Sequence, residues 1–501
     1  MTVGTVARTD KYIPCKLHYK EIRASIDLLA VSQVFAGLES ASILGGNTAK
    51  TDADRFSYWA AKPRDVFEFR SGQEEPFAKL QKVLNKYRLA EDIDVDSRLR
   101  GNDTGGDILP KGMFRGGWVG YFSYELGRYI EPAIGGPAMV TDDLKMPLMR
   151  LCFYDRFIAY DHGEAAFWLI ALELPGDSAE PDEKLSGLEE LLTRAGGINV
   201  PALAPADLDD IDLAQFRRNM DKDYYLRMVE KIKRYIYDGD VYQINFSQRF
   251  ECDYAAEAID LFHWQNRYNP SGYSAYIDGP DFKIVSASPE MFMTISDRFI
   301  STKPIKGTRR RLGPTDENRP DIKQVNEDNL RALLDSEKER AELNMIVDLE
   351  RNDLAKVCEP GTRRVIQHRT IAAYPTVFHA VATVAGRLRS EVTFCDCLRA
   401  MFPGGSITGA PKIRSMEIID ETEPTARGVY TGSIGYIGLD GNVCLNIAIR
   451  TIIIAGQKAY AQTGGGIVAD SSPQAEWNET ITKARALLAG INSVQRTADS
   501  V

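Results

Sequence analysis

Histidine is scarce in this sequence, with 5 residues among 501, and the seven cysteines are scattered without a CxxC pair. Zinc and similar soft metals need clustered imidazole or thiolate ligands, so this shortage argues against such a site and favours oxygen ligands for any metal. The odd number and wide spacing of the cysteines also indicate reduced, mostly structural thiols.

The sequence lacks a basic excess and a long apolar run. Its 61 Lys and Arg against 71 Asp and Glu leave a formal charge of −10, which disfavours nucleic acid as a partner because phosphate binding needs a basic face. Apolar stretches such as 165–172 are far below the roughly 20 residues that span a bilayer, and MTVGTVARTDKY has no signal-peptide core. We therefore expect a cytoplasmic protein that contacts neither membrane nor nucleic acid.

Two polar stretches divide the chain. Residues 90–112 are rich in Asp and Gly and predict an inserted surface loop, whereas 196–212 mixes Gly, Pro and Asp and predicts a linker. We expect an N-terminal region over 1–200 and a catalytic domain over 213–495. Predicted strands and helices come in clusters and do not alternate strictly, which favours an α+β fold over a doubly wound sheet.

Local patterns predict several elements. Strands are expected in 116–128, 151–162, VYQINFSQRFE, FKIVSASPEMFMTI, CLNIAIRTIIIA and KAYAQTGGGIVAD. Asp221 is a suitable cap for a helix that ends near Gly239, with Tyr225, Val229, Ile232 and Ile236 on one face. Residues 336–350 and 473–490 predict two further helices, the second with Pro473 in its first turn.

These last two helices carry pairs of glutamates three residues apart: Glu339 with Glu342, and Glu476 with Glu479. Like charges at this spacing repel each other by a few tenths of a kcal/mol, so two such helices facing each other would need a cation between them. A hard divalent ion would supply it. An ordinary solvated helix face is the alternative, and spacing alone does not show that the helices meet.

Two glycine-rich segments could bind an anion. FPGGSITGAPKIRSMEIIDE (402–421) spaces glycines like a P-loop, but Ala410-Pro411 replaces the required Lys and Ser/Thr, which excludes an ATPase on this motif. We expect Thr408 or Gly409 to cap a helix whose free amides attract a carboxylate; a plain glycine turn is the alternative. In TGGGIVADSS (463–472) three glycines are expected to follow a strand, where a bulge or turn would also explain them.

Lys306 and Glu290 are candidate reactive groups. Lys306 lies between a proline and a glycine in STKPIKGTRRR, and it becomes nucleophilic only if burial or neighbouring cations lower its pKa. Glu290 follows a predicted strand in SASPEMF and could act as a general acid if it is buried. A solvated lysine and a turn carboxylate are the plainer alternatives.

Together, however, these segments resemble a known family. From about residue 215 to 490 the chain closely resembles the chorismate-binding domain of the anthranilate synthase and aminodeoxychorismate synthase large subunits. Nine blocks match in the family's order: DGDVYQINFSQRF, SASPEMF, PIKGT, AELNMIVDLERNDLAKV, FPGGSITGAPKIRSMEIIDE, TGSIGYI, IAIRT, GGGIVADS and AEWNET. The resemblance implies a large α+β fold in which two sheets pack together with helices outside.

The resemblance also implies a magnesium-dependent site for chorismate. Glu342 and Glu479 would hold Mg²⁺, with Glu339 and Glu476 assisting through water, and the metal would bind the ring carboxylate. Lys306 would attack ring carbon 2 while Glu290 protonates the hydroxyl that leaves carbon 4; His379 matches a catalytic histidine of the anthranilate enzymes. The substrate-binding positions implied by the resemblance are Gln243, Gly307, Thr308, Ser406, Thr408, Tyr436, Arg450, Gly464, Gly465 and Gly466.

The PIKGT block separates branches of the family. Anthranilate enzymes resemble PIAGT there, so Lys306 implies amination of chorismate to 4-amino-4-deoxychorismate for 4-aminobenzoate and folate biosynthesis. Gln243 stands where isochorismate and salicylate synthases carry a water-activating lysine. No cysteine lies in a Gly-x-Cys-x-Gly elbow, so ammonia is expected from a separate glutamine amidotransferase subunit in a heterodimer, or free in solution. Anthranilate synthase component I and a non-catalytic chorismate- or amino-acid-binding regulatory subunit stay open as alternatives.

Overall fold

The computed structural model describes residues 12–46, 55–90, 109–131, 140–206, 208, 211–312, 321–373 and 377–498. The strands in these ranges are β1 Ile13–Ile22, β2 Ser42–Leu44, β3 Phe56–Ala60, β4 Asp65–Phe69, β5 Tyr87–Leu89, β6 Gly117–Phe122, β7 Met149–Tyr154, β8 Arg156–Asp161, β9 Ala166–Glu173, β10 Arg217–Arg218, β11 Gln243–Asp253, β12 Tyr273–Asp278, β13 Phe282–Ser288, β14 Met291–Ser296, β15 Phe299–Lys303, β16 Ile305–Arg310, β17 Arg364–Ala373, β18 Val377–Arg387, β19 Gly409–Ala410, β20 Ser433–Gly438, β21 Val443–Asn446, β22 Thr451–Ala455 and β23 Lys458–Ile467. The helices are α1 Leu28–Ala36, α2 Pro76–Leu84, α3 Pro181–Gly196, α4 Lys222–Tyr237, α5 Ala258–Tyr268, α6 Ile322–Asp335, α7 Glu337–Ala355, α8 Phe394–Met401, α9 Lys412–Thr422 and α10 Pro473–Ala498. None of these helices is long and apolar enough to cross a membrane.

Within the described ranges the strands form two sheets. One has 13 strands in the order β10-β11-β23-β22-β13-β12-β2-β3-β8-β9-β1-β5, with β19 also paired to β11. The other has 10 strands in the order β16-β18-β15-β14-β21-β20-β6-β7-β4, with β17 also paired to β18. Neighbouring strands are antiparallel except for β1 and β5.

Three large apolar clusters hold these layers together. One lies between the sheets and combines side chains such as Tyr58 of β3 and Ile453 of β22 with Tyr121 of β6. A second packs α1, α3, α5 and α10 on the outer face of the larger sheet, and the third packs α4, α7, α8 and α9 with strands of both sheets. The predicted α+β fold, two packed sheets with helices outside, is therefore confirmed.

Strands from both sequence regions enter both sheets. The 13-stranded sheet contains both β1 and β11, and in the 10-stranded sheet β6 pairs with β20. Residues 1–200 and 213–495 therefore share one core. The division into those two regions stays a prediction. Most of the predicted insertion at 90–112 lies outside the described residues, as does part of the linker at 196–212; its described residues 197–206 form neither helix nor strand.

The sequence predicts helix α4 well. The Asp221 carboxylate accepts the Tyr224 amide at 2.6 Å, the helix ends at Tyr237, and Gly239 follows with a φ of 84°. Its buried face consists of Tyr225, Val229 and Ile232, because these apolar residues repeat at the helical period. The predicted helices at 336–350 and 473–490 are confirmed as α7 and α10.

Two glycine predictions are wrong. Neither Thr408 nor Gly409 caps the following helix: Gly409 pairs with Ile244 in the β11–β19 ladder, and α9 begins at Lys412 with Pro411 at its N-cap position. The glycines at 464–466 do not follow a strand but lie inside β23, opposite β11. In both cases pairing with β11, which is remote in sequence, determines the backbone conformation.

Candidate active site

Lys306 lies in β16, and its ammonium group points at a single turn of 3₁₀ helix over Gly405–Ile407. Its Nζ donates to the carbonyl oxygen of Ser406 at 3.0 Å. Burial lowers the pKa of Lys306 below its usual range, although the carboxylates of Glu342 and Glu290 act in the opposite direction. A lowered pKa leaves more of the amine neutral, which is the form that can act as a nucleophile.

Glu290, between β13 and β14, is the acid partner of this group. Only 4% of the residue is exposed, and its carboxylate accepts the Ile305 amide at 3.3 Å. Burial raises the pKa of Glu290, while a hydrogen bond with Ser406 and the charge of Lys306 oppose the rise. A buried carboxyl with a raised pKa can hold a proton near neutral pH and donate it.

Gly307 gives strand β16 an irregular shape next to Lys306. Its φ is 94°, and the β16–β18 register shifts between Ile305 and Thr308. A Cβ at this position would lie 2.8 Å from Leu333 Cδ1 and 3.1 Å from an Oε2 of Glu339. Glycine is therefore needed both for the backbone conformation and for the close approach of helices α6 and α7.

His379 faces the same strand from β18. Thr308 Oγ1 and His379 Nδ1 are 2.9 Å apart. Burial, with a smaller contribution from Arg450, lowers the pKa of His379 to about 3, so the imidazole is neutral at physiological pH. The neutral ring can form a hydrogen bond with a hydroxyl group, as it does with Thr308, and it carries no resting positive charge.

The four predicted metal ligands lie on α7 and α10, and three of them have short contacts of their own. Glu479 pairs with Lys483 at 2.7 Å, Glu339 pairs with Arg309 at 2.6 Å, and Glu476 accepts the Ser471 hydroxyl at 2.6 Å. Burial raises the pKa of Glu342, and the charges of Glu479 and Glu339 raise it further. The two helices thus bring their carboxylates within electrostatic reach of each other.

Oxygen donors and mutual repulsion suit a hard divalent cation. A Cβ at Gly465 would lie 3.2 Å from Glu476 Oε2 and 3.7 Å from Glu479 Oε1, so the glycine in β23 lets both carboxylates approach the sheet. In the described part of the chain, however, no three His, Cys, Asp or Glu side chains already form a metal-binding group. The residues fit a magnesium-type ion in chemistry, and Lys483 and Arg309 hold two of them in ion pairs.

Comparison with known proteins decides the family. The profile of the chorismate binding enzymes matches residues 47–489. The chain belongs to this family. It is 41% identical over 375 residues to aminodeoxychorismate synthase component 1 of Bacillus subtilis, covering 75% of this chain and 76% of that protein. It is 37% identical over 432 residues to anthranilate synthase component 1 of Pseudomonas putida, covering 85% and 81%.

Solved structures agree with this family assignment. Anthranilate synthase component I from Streptococcus pneumoniae superposes with a TM-score of 0.69 at 29% identity, covering 88% of this chain and 93% of that one. The menaquinone-specific isochorismate synthase of Escherichia coli superposes with a TM-score of 0.66 at 16% identity, covering 96% of each, and supports the fold alone. The protein is thus a chorismate-utilising enzyme with a two-sheet fold.

Among the predicted site residues, Ser406 contacts Lys306, and the charges of Glu290, Glu342 and Glu479 act on it. Gln243 packs directly over Gly466, leaving no room there for a Cβ. Thr408 is fully buried and donates its hydroxyl to the Gly404 carbonyl at 2.9 Å. Tyr436 lies in an aromatic cluster, where its ring centre is 4.7 Å from that of Phe114.

Three charged residues near the site were missed by sequence reasoning. Lys483 pairs with Glu479 and donates to the Gly464 carbonyl at 3.0 Å; its spacing of four residues from Glu479 on one helix is a signal that could have revealed it. Lys338 acts electrostatically on Glu342, Glu476 and Glu479. Glu350 lies under the Ser406 turn and accepts the Gly405 amide at 3.3 Å, a contact across 55 residues that no local pattern reveals.

Proposed function

We propose that this protein replaces the ring hydroxyl of chorismate with an amino group from ammonia and forms 4-amino-4-deoxychorismate, the reaction of an aminodeoxychorismate synthase component I. The observation that carries the proposal is the position of Lys306. Its amine contacts the Ser406 carbonyl at 3.0 Å, its pKa is lowered by burial, and the buried acid Glu290 lies beside the same turn.

In the first step, the neutral amine of Lys306 bonds to ring carbon 2. Both conjugated ring double bonds shift by one position, which places one of them at carbon 4, and the bond between carbon 4 and its hydroxyl oxygen breaks. Glu290 donates a proton, so the hydroxyl departs as water. The covalent intermediate divides one displacement with a poor leaving group into two easier steps.

In the second step, ammonia bonds to carbon 4. Both ring double bonds shift back, the bond between carbon 2 and the lysine nitrogen breaks, and Lys306 leaves as an amine. One proton of the new ammonium group returns to Glu290. The net change is chorismate plus ammonia to 4-amino-4-deoxychorismate plus water.

Positive charges at the site would orient the two carboxylates of the substrate. We propose that Glu342 and Glu479, assisted by Glu339 and Glu476, hold Mg²⁺, which when bound supplies a positive charge for the ring carboxylate. Arg450 and the glycine strand 464–466 would face the enolpyruvyl carboxylate. Donor chemistry and the mutual charge effects of Glu342 and Glu479 support the metal assignment. We further propose that a separate glutamine amidotransferase subunit supplies the ammonia.

The second candidate function is that of anthranilate synthase component I, favoured by the P. putida relative at 37% identity over 432 residues. Product identification separates the two. Purified protein would be incubated with chorismate, magnesium and ammonium, with and without added aminodeoxychorismate lyase. We expect 4-aminobenzoate only when the lyase is present; fluorescent anthranilate formed without lyase would overturn the proposal.

Lys306 can be tested as the nucleophile by intact-protein mass spectrometry. With chorismate and no ammonia, we expect a mass increase equal to chorismate minus water, located on Lys306 by peptide mapping. Lys306→Ala should show neither adduct nor product formation above background. Lys323→Ala, at an exposed lysine of α6, is the matched control and should behave as the wild type. Undiminished product formation from ammonia by Lys306→Ala would refute the assignment.

A further inference from the structure

An open pocket of about 590 Å³ lies where β10 leads into helix α4, on the outside of the fold. Its lining combines the apolar side chains Phe216 and Met220 and the ring of Pro424 with the charged groups Arg218 and Asp221. This volume lies within the range of small-molecule sites. None of these residues belongs to the group around Lys306, and we call the cavity the Arg218 pocket.

Arg218 is the unusual residue of this pocket. Its side chain makes no hydrogen bond and no ion pair within the described part of the chain, and its Nε is buried without a partner. Its guanidinium lies 5.3 Å from the ring centre of Trp477 and 5.6 Å from that of Phe250. Burial lowers the pKa of Arg218 with no opposing carboxylate. The two rings hold the cation in place, while its hydrogen-bonding capacity is unused.

The other polar groups of the pocket are already engaged. The Asp221 carboxylate accepts the Tyr224 amide at 2.6 Å, and the Asn219 side chain donates to Thr425 Oγ1 and accepts the Arg249 amide. A half-buried cation without a partner is costly, and a carboxylate ligand would satisfy it with charge-assisted hydrogen bonds. The nearby Asp221 charge disfavours ligands with several negative charges.

We propose that the Arg218 pocket binds a small organic monocarboxylate with an apolar body. The carboxylate pairs with the guanidinium of Arg218, and the apolar part packs on Phe216, Met220 and Pro424. Trp477 links this pocket to the candidate site, because it lies on α10 between Glu476 and Glu479. The proposal concerns a second site and does not depend on the reaction at Lys306.

Benzoate is a suitable probe, and isothermal titration calorimetry on the full chain measures its binding. We expect saturable binding that Arg218→Gln weakens at least about tenfold, a loss of ~1.4 kcal/mol. Arg217→Gln is the matched control, because Arg217 is the exposed neighbour whose guanidinium pairs with Glu251 at 3.2 Å, and it should bind benzoate like the wild type. Melting temperatures of both variants show that they are folded.

Acetate, which carries the charge without the ring, tests the apolar lining and should bind more weakly than benzoate. Equal benzoate affinity in Arg218→Gln and the wild type would overturn the proposal, because benzoate would then occupy another site such as the Lys306 region. Absence of saturable binding to the wild type would overturn it as well. Equal affinities for acetate and benzoate would refute an apolar-bodied ligand.

Discussion

The candidate site has two ends: the group of Lys306 and Glu290, and the glutamates of helices α7 and α10. The charged side chains at these two ends have different kinds of partner. At the end that we propose is reactive, Lys306 and Glu290 have shifted pKa values and both contact the Ser406 turn. At the carboxylate end, Glu479 and Glu339 are paired with Lys483 and Arg309. If our proposal holds, the reactive end is assembled in the protein itself, whereas at the carboxylate end Lys483 and Arg309 would have to release two glutamates before these could bind a metal.

The largest effect is expected at the reactive end. Glu290→Gln keeps the shape of the side chain but cannot donate a proton, and general acid catalysis contributes about 10²–10⁴-fold to rates. We expect kcat for amination to fall by that factor, measured with the lyase-coupled assay. The adduct on Lys306 should also form more slowly, because water leaves in the same step.

Glu391→Gln is the control, because this exposed glutamate lies outside the site. It should leave kcat unchanged. A Glu290→Gln enzyme within a few-fold of the wild-type rate would show that another group protonates the leaving hydroxyl, and the reactive end would not be complete as we describe it.

A second prediction concerns the buried support of the reactive end. Glu350 is 3% exposed and accepts the Gly405 amide, and burial together with the charge of Asp353 raises the pKa of Glu350 from 4.5 to about 8, opposed by Lys412. Because its folded pKa lies above its unfolded value, its contribution to stability is full below about pH 4.5 and is lost as pH rises through about 8. The slope approaches ~1.4 kcal/mol per pH unit for one proton.

Glu350→Gln imitates the protonated acid and should remove this slope. The measurement is the free energy of unfolding in urea between about pH 5 and pH 9, where the wild type should lose stability and the variant should not. Glu359→Gln, whose side chain is 43% exposed, should follow the wild type. Parallel curves for Glu350→Gln and the wild type would show that Glu350 is ionised in the folded protein.

Features set by local sequence could be predicted, whereas those set by long-range contacts could not. Helix α4 was predictable because its cap and apolar period are local, and the glutamate pairs of α7 and α10 were predictable for the same reason. The contact of Lys306 with Ser406 joins residues 100 apart, and the place of Gly409 is set by pairing with β11. Such contacts come from tertiary structure, so the motifs indicated the participants and the resemblance supplied their roles.

The smallest effect is expected at the carboxylate end, where Lys483, which pairs with Glu479, would compete with the proposed metal. Both side chains are about half exposed, at 48% and 50%, so the pair contributes only about 0.2–1 kcal/mol. Lys483→Met should therefore tighten Mn²⁺ binding, measured by electron paramagnetic resonance without substrate, by about 1.4- to fivefold. Lys483→Arg keeps the positive charge and should bind Mn²⁺ like the wild type, whereas Glu479→Gln should weaken binding. If Lys483→Met instead weakened Mn²⁺ binding, the lysine would support the metal site, and the carboxylate end would be assembled in the protein as the reactive end is.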